Sequence, residues 1–187
     1  MPIDFHYFIS TLPMLKRGEA PLISHSQLLE SCRSLLSKED AAAIGALSLD
    51  VTGAPCTSRL STARQWNDFE TMLRNATAKL RGAKLHKTDV PAHPTDFISQ
   101  YTQRRIEEAF ALPSPAEREA VLDTLRWQFL ESLESGHPCD IDSVAIYALK
   151  LLLMERIASR KLDEGLRAYK QLVADGVQQA EAARHNS

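Results

Sequence analysis

The sequence predicts an all-α protein, a bundle of six or seven helices with a short apolar element at its N-terminus. Apolar residues recur every three or four positions along most of the chain. Only 7 glycines occur in 187 residues, and Ala, Leu, Glu, Arg and Lys are abundant, which favours helix. The alternating pattern of a strand is absent after the first ten residues. We expect one helical domain over 1–187, with a subdivision into lobes 1–90 and 91–175 as an alternative and a frayed tail at 176–187.

The apolar patch from Phe5 to Ile9 predicts a short ordered element packed onto the core, because a proline and glycine-rich loop follows it. Ser24 opens the first long helix, and Gln27 three residues later fits a capping box. The predicted buried stripe of this helix consists of Leu28, Leu29, Cys32, Leu35 and Leu36.

A second helix is predicted to begin after Ser37 and to continue towards Gly53. The third is predicted from Ser61 to Arg81, with Gly82 as its C-terminal stop and 83–94 as a linker. The inward side of this third helix is predicted to contain Trp66, Phe69, Leu73, Ala76 and Leu80.

The fourth helix is predicted to be capped by Thr95 or Asp96 and to reach Phe110, with an inner side of Phe97, Ile98, Tyr101 and Ala109. Ser114 then opens a fifth helix with Pro115 at its first helical position. The buried stripe predicted for the fifth helix is Val121, Leu122, Leu125, Phe129 and Leu133.

The sixth helix, capped by Asp140 or Asp142, is apolar on every side and is therefore predicted to be the central helix of the bundle. A seventh helix is predicted from Leu162 to Val173, with an inward side of Leu166, Tyr169, Leu172 and Val173. Charged residues interrupt the sixth helix at Lys150 and at the pair Glu155-Arg156. Because an unpaired buried charge is costly, Lys150 is expected to reach solvent, to pair with an acid on another helix, or to face a partner.

Composition limits the classes of function. The net charge is −2, so no overall field attracts nucleic acid or acidic lipid. The cysteine count is odd, with no short spacing between cysteines, which indicates a reducing compartment. Asp4 and His6 interrupt any early apolar run. The longest apolar stretch, 144–154, is shorter than the ~20 residues that span a membrane. We expect a cytoplasmic protein without direct membrane insertion.

No motif for nucleotide binding, zinc proteolysis or serine hydrolysis occurs in the sequence. His137, Cys139 and Asp140 place potential metal ligands close together, but no second cluster offers the remaining ligands. A connection between helices with a half-buried thiol is the favoured interpretation. We therefore expect no catalytic residues, no metal and no cofactor, with a small enzyme kept as an alternative.

One segment is basic, and its members are candidates for contact with an acidic partner: Arg74, Lys79, Arg81, Lys84 and Lys87. We call these five residues the basic segment. A solvated helix face is the simpler explanation. Nucleic-acid binding is disfavoured, because no aromatic residue is interleaved with these charges.

The stretches Tyr7–Leu15 and Asp140–Leu151, the latter continuing to Glu155-Arg156, resemble a bacterial domain-of-unknown-function family encoded with V/A-type ATPase subunits. The N-terminal pattern also resembles the start of the C (d-type) subunit of those ATPases, a helical adaptor between the central stalk and the rotor ring. The resemblance implies a non-catalytic adaptor or stalk-associated subunit, peripheral to the inner membrane, whose partners are stalk or rotor subunits. Lys150, Glu155 and Arg156 lie in the best-matching stretch and are candidates for an interface or a buried ion pair. The alternative is an independent cytosolic helical adaptor or oligomeric structural protein.

Overall fold

The computed structural model describes residues 5–51, 54, 56–86, 99–160, 165 and 169. These residues form an all-α fold, as predicted. The helices present among them are α1 (Phe5–Thr11), α2 (His25–Leu35), α3 (Lys38–Gly45), α4 (Ser61–Lys84), α5 (Gln100–Ala111), α6 (Pro115–Glu134) and α7 (Ile141–Ser159). None of these helices is long and apolar enough to cross a membrane.

Helix α7 is the central helix of the bundle, which confirms the prediction. It contacts α1, α2, α3, α4 and α6. One side of α7, including Val144 and Leu151, packs with α1, α2 and α3 in a first hydrophobic core. The other side, including Leu149 and Leu153, packs with Trp66 of α4 and with α6 in a second core. Full burial of each such leucine contributes roughly 1.5–3 kcal/mol of stability. Because its side chains are buried in both cores, α7 joins them.

A third hydrophobic core lies between α4, α5 and α6. It contains Leu73, Ile106, Phe110, Leu122 and Leu125. Because α5 contacts α4 and α6 but does not line the first two cores, this third core holds α5 in the bundle.

The predicted N-caps are confirmed for four helices: Ser24, Ser37, Ser114 and Asp140. The Ser24 hydroxyl accepts a hydrogen bond from the backbone N–H of Gln27, and the Gln27 side chain accepts one in return, so the capping box forms. The prediction for α5 was wrong, since Ser99 caps that helix instead of Thr95 or Asp96.

Two predicted helix ends were wrong. Helix α3 stops at Gly45 rather than continuing towards Gly53, because glycine weakens the helix and the Ser48 hydroxyl accepts the backbone N–H of Asp50 instead. Helix α4 continues through the buried Gly82 to Lys84.

Three residues predicted to be inward are exposed: Leu35, Tyr101 and Tyr169. Some predictions cannot be compared with the structure because they lie outside the described residues. These are the predictions for Phe97, Ile98, most of 162–173 and the tail 176–187.

Candidate functional site

A buried ion pair joins α4 to α6. Glu70 lies on the inward face of α4, four residues after Trp66 and three before Leu73, and only 2% of it is exposed. Arg126 of α6 is 6% exposed and donates to both carboxylate oxygens of Glu70, from Nε and from Nη2, each at 2.9 Å. This two-pronged contact matches the planar guanidinium to the planar carboxylate. Burial alone would lower the pKa of Arg126, but Glu70, with Asp123 and Glu119, raises it.

Asp123 extends this ion pair to α7. Its Oδ1 accepts from Arg126 Nη1 at 2.8 Å and from Arg156 Nη2 at 3.1 Å. Its Oδ2 accepts from Arg160 Nη1 at 2.9 Å. Asp123 is itself buried, so one carboxylate inside the protein serves three arginines.

Arg156 is the least well compensated charge of this group. Its Nε is buried and has no hydrogen-bond partner among the described residues. Burial, and then the positive charge of Arg126, lowers the pKa of Arg156, with Arg160 acting in the same direction and Asp123 opposing. A half-buried guanidinium with one N–H unpaired and like charges nearby creates a positive potential around itself.

A cavity of about 230 Å³ lies beside these residues, between α4, α6 and α7. We call it the arginine cavity. The charged residues that line it are Asp50, Glu70, Arg74, Arg81, Glu119, Arg126 and Arg156.

The structure distributes the predicted basic segment over several environments. Arg74 and Arg81 line the arginine cavity. Lys84 donates to the backbone carbonyl of Phe110 at 2.8 Å. Lys79 is exposed on α4. Lys87 lies outside the described residues.

The three charges singled out on α7 contact three different neighbours. Lys150 is 6% exposed, donates to Glu134 of α6 at 2.6 Å and lies 4.8 Å from the centroid of the Trp127 ring. Glu155 accepts from the backbone N–H of His25 at 2.7 Å, at the start of α2. Only Arg156 reaches the arginine cavity. The sequence could identify these charges but could not identify their partners.

The connection between α6 and α7 contains a second polar group. His137 lies 2.7 Å from Asp140 through Nδ1 and 3.3 Å from the Ser61 hydroxyl through Nε2. Potential ligand atoms of His137, Asp140 and Asp142 lie within 4.8 Å of one another. Cys139 is half-buried and is not part of this group.

Both carboxylates of this second group already serve helix N-termini. Asp140 accepts from the backbone N–H of Ser143 at 2.9 Å and caps α7. Asp142 accepts from the backbone N–H of Thr62 at 2.7 Å, at the start of α4, where no side chain of α4 acts as a cap. Helix N-termini are electropositive, so they favour these carboxylates and disfavour a cation. The arrangement therefore joins the starts of α4 and α7.

The sequence analysis did not identify Glu70, Asp123 or Arg126. The available signal was their position: each charge occupies an inward position within a stripe of apolar residues, as Glu70 does between Trp66 and Leu73. Such a charge must find a partner or remain costly.

Comparison of the chain with protein-family models, with curated proteins and with solved structures finds no match. The resemblance of Tyr7–Leu15 and Asp140–Leu151 to the ATPase-associated family therefore stays a prediction.

Proposed function

We propose that the chain is a non-catalytic helical adaptor, associated with the central stalk of a V/A-type rotary ATPase and acting through protein contacts. The observation that carries the proposal is the contact between α1 and α7. These helices include parts of the two stretches that resemble the ATPase-associated family, residues 7–11 of one and 141–151 of the other, and they are far apart in the sequence.

The contact between the two stretches is both apolar and polar. Phe8 of α1 is 1% exposed and belongs to the same core as Val144, Ala148 and Leu151 of α7. The Tyr147 hydroxyl donates to the backbone carbonyl of Pro13 at 2.8 Å, across 134 positions of the chain. The two stretches are distant in the sequence but pack together in the fold. A partner protein can therefore contact both of them at once, which supports the resemblance as a sign of one binding region.

The N-terminal stretch and the loop that follows it, residues 7–22 together, also offer apolar side chains to a partner. Tyr7, Met14 and Leu22 are among the large hydrophobic residues that are exposed, with Met14 at 79% and Leu22 at 81%. Single exposed apolar residues are common on protein surfaces. Their recurrence between residues 7 and 22, and the adaptable packing of methionine, favour this stretch as the contact region.

The test is affinity purification of the tagged full chain from its native cell, under gentle conditions, with partners identified by mass spectrometry. We expect ATPase stalk or rotor subunits to be recovered. The double variant Met14→Glu, Leu22→Glu should recover less of them. The matched control is Leu85→Glu, because Leu85 is similarly exposed, at 67%, but lies at the end of α4.

Two outcomes count against the proposal. Recovery of other proteins without any ATPase subunit would favour an independent helical adaptor. Equal recovery of ATPase subunits with the double variant and with wild type would remove the N-terminal stretch from the interface.

A further inference from the structure

We infer that the arginine cavity binds a small oxyanion of the phosphate or sulfate type. The arginines that would bind it belong to α4, α6 and α7, and binding requires no ATPase partner, so the inference is independent of the proposed function.

Positive charge exceeds negative charge around the arginine cavity. Four arginines and three carboxylates line it. Asp123 and Arg160 are not among the lining residues. Asp123 accepts from Arg126 and Arg156 as well as from Arg160, and the opposite charges of Asp123 and Arg160 together leave the excess unchanged. Glu70 is engaged by Arg126 through two hydrogen bonds. The surplus therefore falls on the other arginines.

The arginines that carry the surplus are less completely neutralised than Arg126. Arg74 donates from Nη1 to the backbone carbonyl of Val51, and its carboxylate neighbours are more distant, at 3.6 Å for the largely exposed Asp50 and 3.8 Å for Glu70. The guanidinium of Arg81 lies 6.0 Å from the centroid of the Phe110 ring. Arg156 has its buried unpaired Nε. An oxyanion accepts several N–H groups at once and can compensate arginines that the protein leaves incompletely paired.

The volume of the arginine cavity limits the size of the ligand. About 230 Å³ is below the ~300–1,000 Å³ typical of sites for drug-sized molecules. A tetrahedral oxyanion fits such a space, whereas a whole nucleotide does not. Arg74 and Arg81 are exposed as well as lining, so the cavity has access to solvent. Its guanidinium groups repel metal cations.

The carboxylates define the expected selectivity. Asp50 and Glu119 line the same cavity, and Glu119 accepts from Arg126 at 3.1 Å. Their negative charge opposes anions, so binding requires direct hydrogen bonds to the arginines. A weakly accepting monoanion such as chloride is therefore expected to bind less well than phosphate.

The test is a titration of the folded full chain with inorganic phosphate, with sodium chloride adjusted to keep ionic strength constant. NMR shifts of the arginine Nε–H groups and the thermal unfolding midpoint are the two readouts. We expect saturable shifts and a saturable rise in the midpoint. A parallel titration with ADP distinguishes free phosphate from a phosphoryl group of a larger ligand. Equal or weaker binding of ADP indicates that the cavity binds free phosphate. Tighter binding of ADP indicates that it binds the phosphoryl group of a larger ligand.

Variants assign the effect to the cavity. Arg156→Gln should weaken phosphate binding at least about tenfold, because it removes charge-assisted hydrogen bonds. It should not destabilise the phosphate-free protein greatly, since it also removes a half-buried charge that is incompletely paired. Arg81→Gln changes an exposed residue, so its loss of binding can be measured even if Arg156→Gln fails to fold.

The matched control is Arg104→Gln, which removes an exposed arginine of α5 that pairs with Glu108 away from the cavity. It should leave phosphate binding unchanged. Absence of any saturable phosphate effect on wild type would overturn the inference. Equal loss of binding in Arg104→Gln and in Arg81→Gln would overturn it as well, because binding would then reflect general surface charge.

Discussion

Replacing Glu70 with glutamine keeps the size of the side chain and removes the charge that holds Arg126 in the protein interior. Arg126 loses two charge-assisted contacts of 2.9 Å in a buried setting. Breaking one partner of a buried ion pair costs about 3–5 kcal/mol. Arg126 retains Asp123 at 2.8 Å and Glu119 at 3.1 Å, so we expect a cost at or slightly below the lower limit of this range, about 2–3 kcal/mol.

The assay is urea unfolding of wild type and Glu70→Gln, followed by far-UV circular dichroism. The free energy of unfolding should fall by the amount given above, and the thermal midpoint by roughly 4–12 °C for a chain of this size. The matched control is Glu108→Gln, in which an exposed carboxylate loses contacts to Arg104 and Arg105, at an expected cost of about 0–1 kcal/mol. A loss in Glu70→Gln no larger than in the control would refute the reasoning.

A double variant separates loss of the pair from loss of packing. Glu70→Leu combined with Arg126→Met removes both buried charges and should be more stable than Glu70→Gln, because no guanidinium is left unpaired. If the double variant is less stable than Glu70→Gln, the attraction between Glu70 and Arg126 contributes to stability beyond the neutralisation of two buried charges.

Three further predictions concern other parts of the molecule. Burial raises the pKa of Asp142, but hydrogen bonds from Thr62 and Ser61 and the charge of His137 lower it below the ordinary 3.8. The stability that the Asp142 carboxylate contributes is therefore present above that pH and is lost as pH falls through the lowered pKa. Asp142→Ala should therefore cost about 0.5–2 kcal/mol at neutral pH and progressively less in urea unfolding below pH 3.8; a cost that does not depend on pH would contradict this. Lys150→Met should change the free energy of unfolding by only about 1 kcal/mol, because the pair with the half-exposed Glu134 is lost together with a buried charge, and a loss above about 3 kcal/mol in the same assay would contradict it. Burial raises the pKa of the Cys32 thiol to about 11, so alkylation of the native protein followed by mass spectrometry should modify the two half-buried cysteines before Cys32, and equal modification rates would contradict this.

Sequence patterns predicted the structure well where a feature depends on residues within a single helix. The cap of α2 depends on Ser24 and Gln27, which are three residues apart, and the cap of α7 on Asp140 and Ser143. The central place of α7 follows from its apolar residues on every side, since a helix at the surface of the bundle would leave one of these sides exposed to water.

The sequence was insufficient where a neighbouring helix decides the outcome. Glycine at position 82 normally favours a helix end, but α4 is held to α5 on both sides of it. Lys84, after the glycine, donates to the carbonyl of Phe110, and Arg81, before it, lies near the Phe110 ring. The left-handed backbone conformation at this end falls instead on His86, with a φ of 53°. These contacts join residues far apart in the chain and leave no local signal.

The arginine cavity could be predicted only in part. Arg74, Arg81 and Arg156 stood out in the sequence as charges with an unexplained role, but they belong to α4 and α7, and nothing in the sequence places them together. Glu70 and Arg126 organise the cavity and were missed, because a charge within an amphipathic helix is usually solvated.

Hydrogen–deuterium exchange of the full chain, with and without purified central-stalk subunits of a V/A-type ATPase, tests directly whether the unit of α1 and α7 is a partner-binding region. We predict slower amide exchange between residues 5 and 24 when the stalk is present, with α5 unchanged. Identical exchange with and without stalk subunits, at concentrations that saturate a weak complex, would contradict the proposal that the chain is an adaptor of the rotary ATPase.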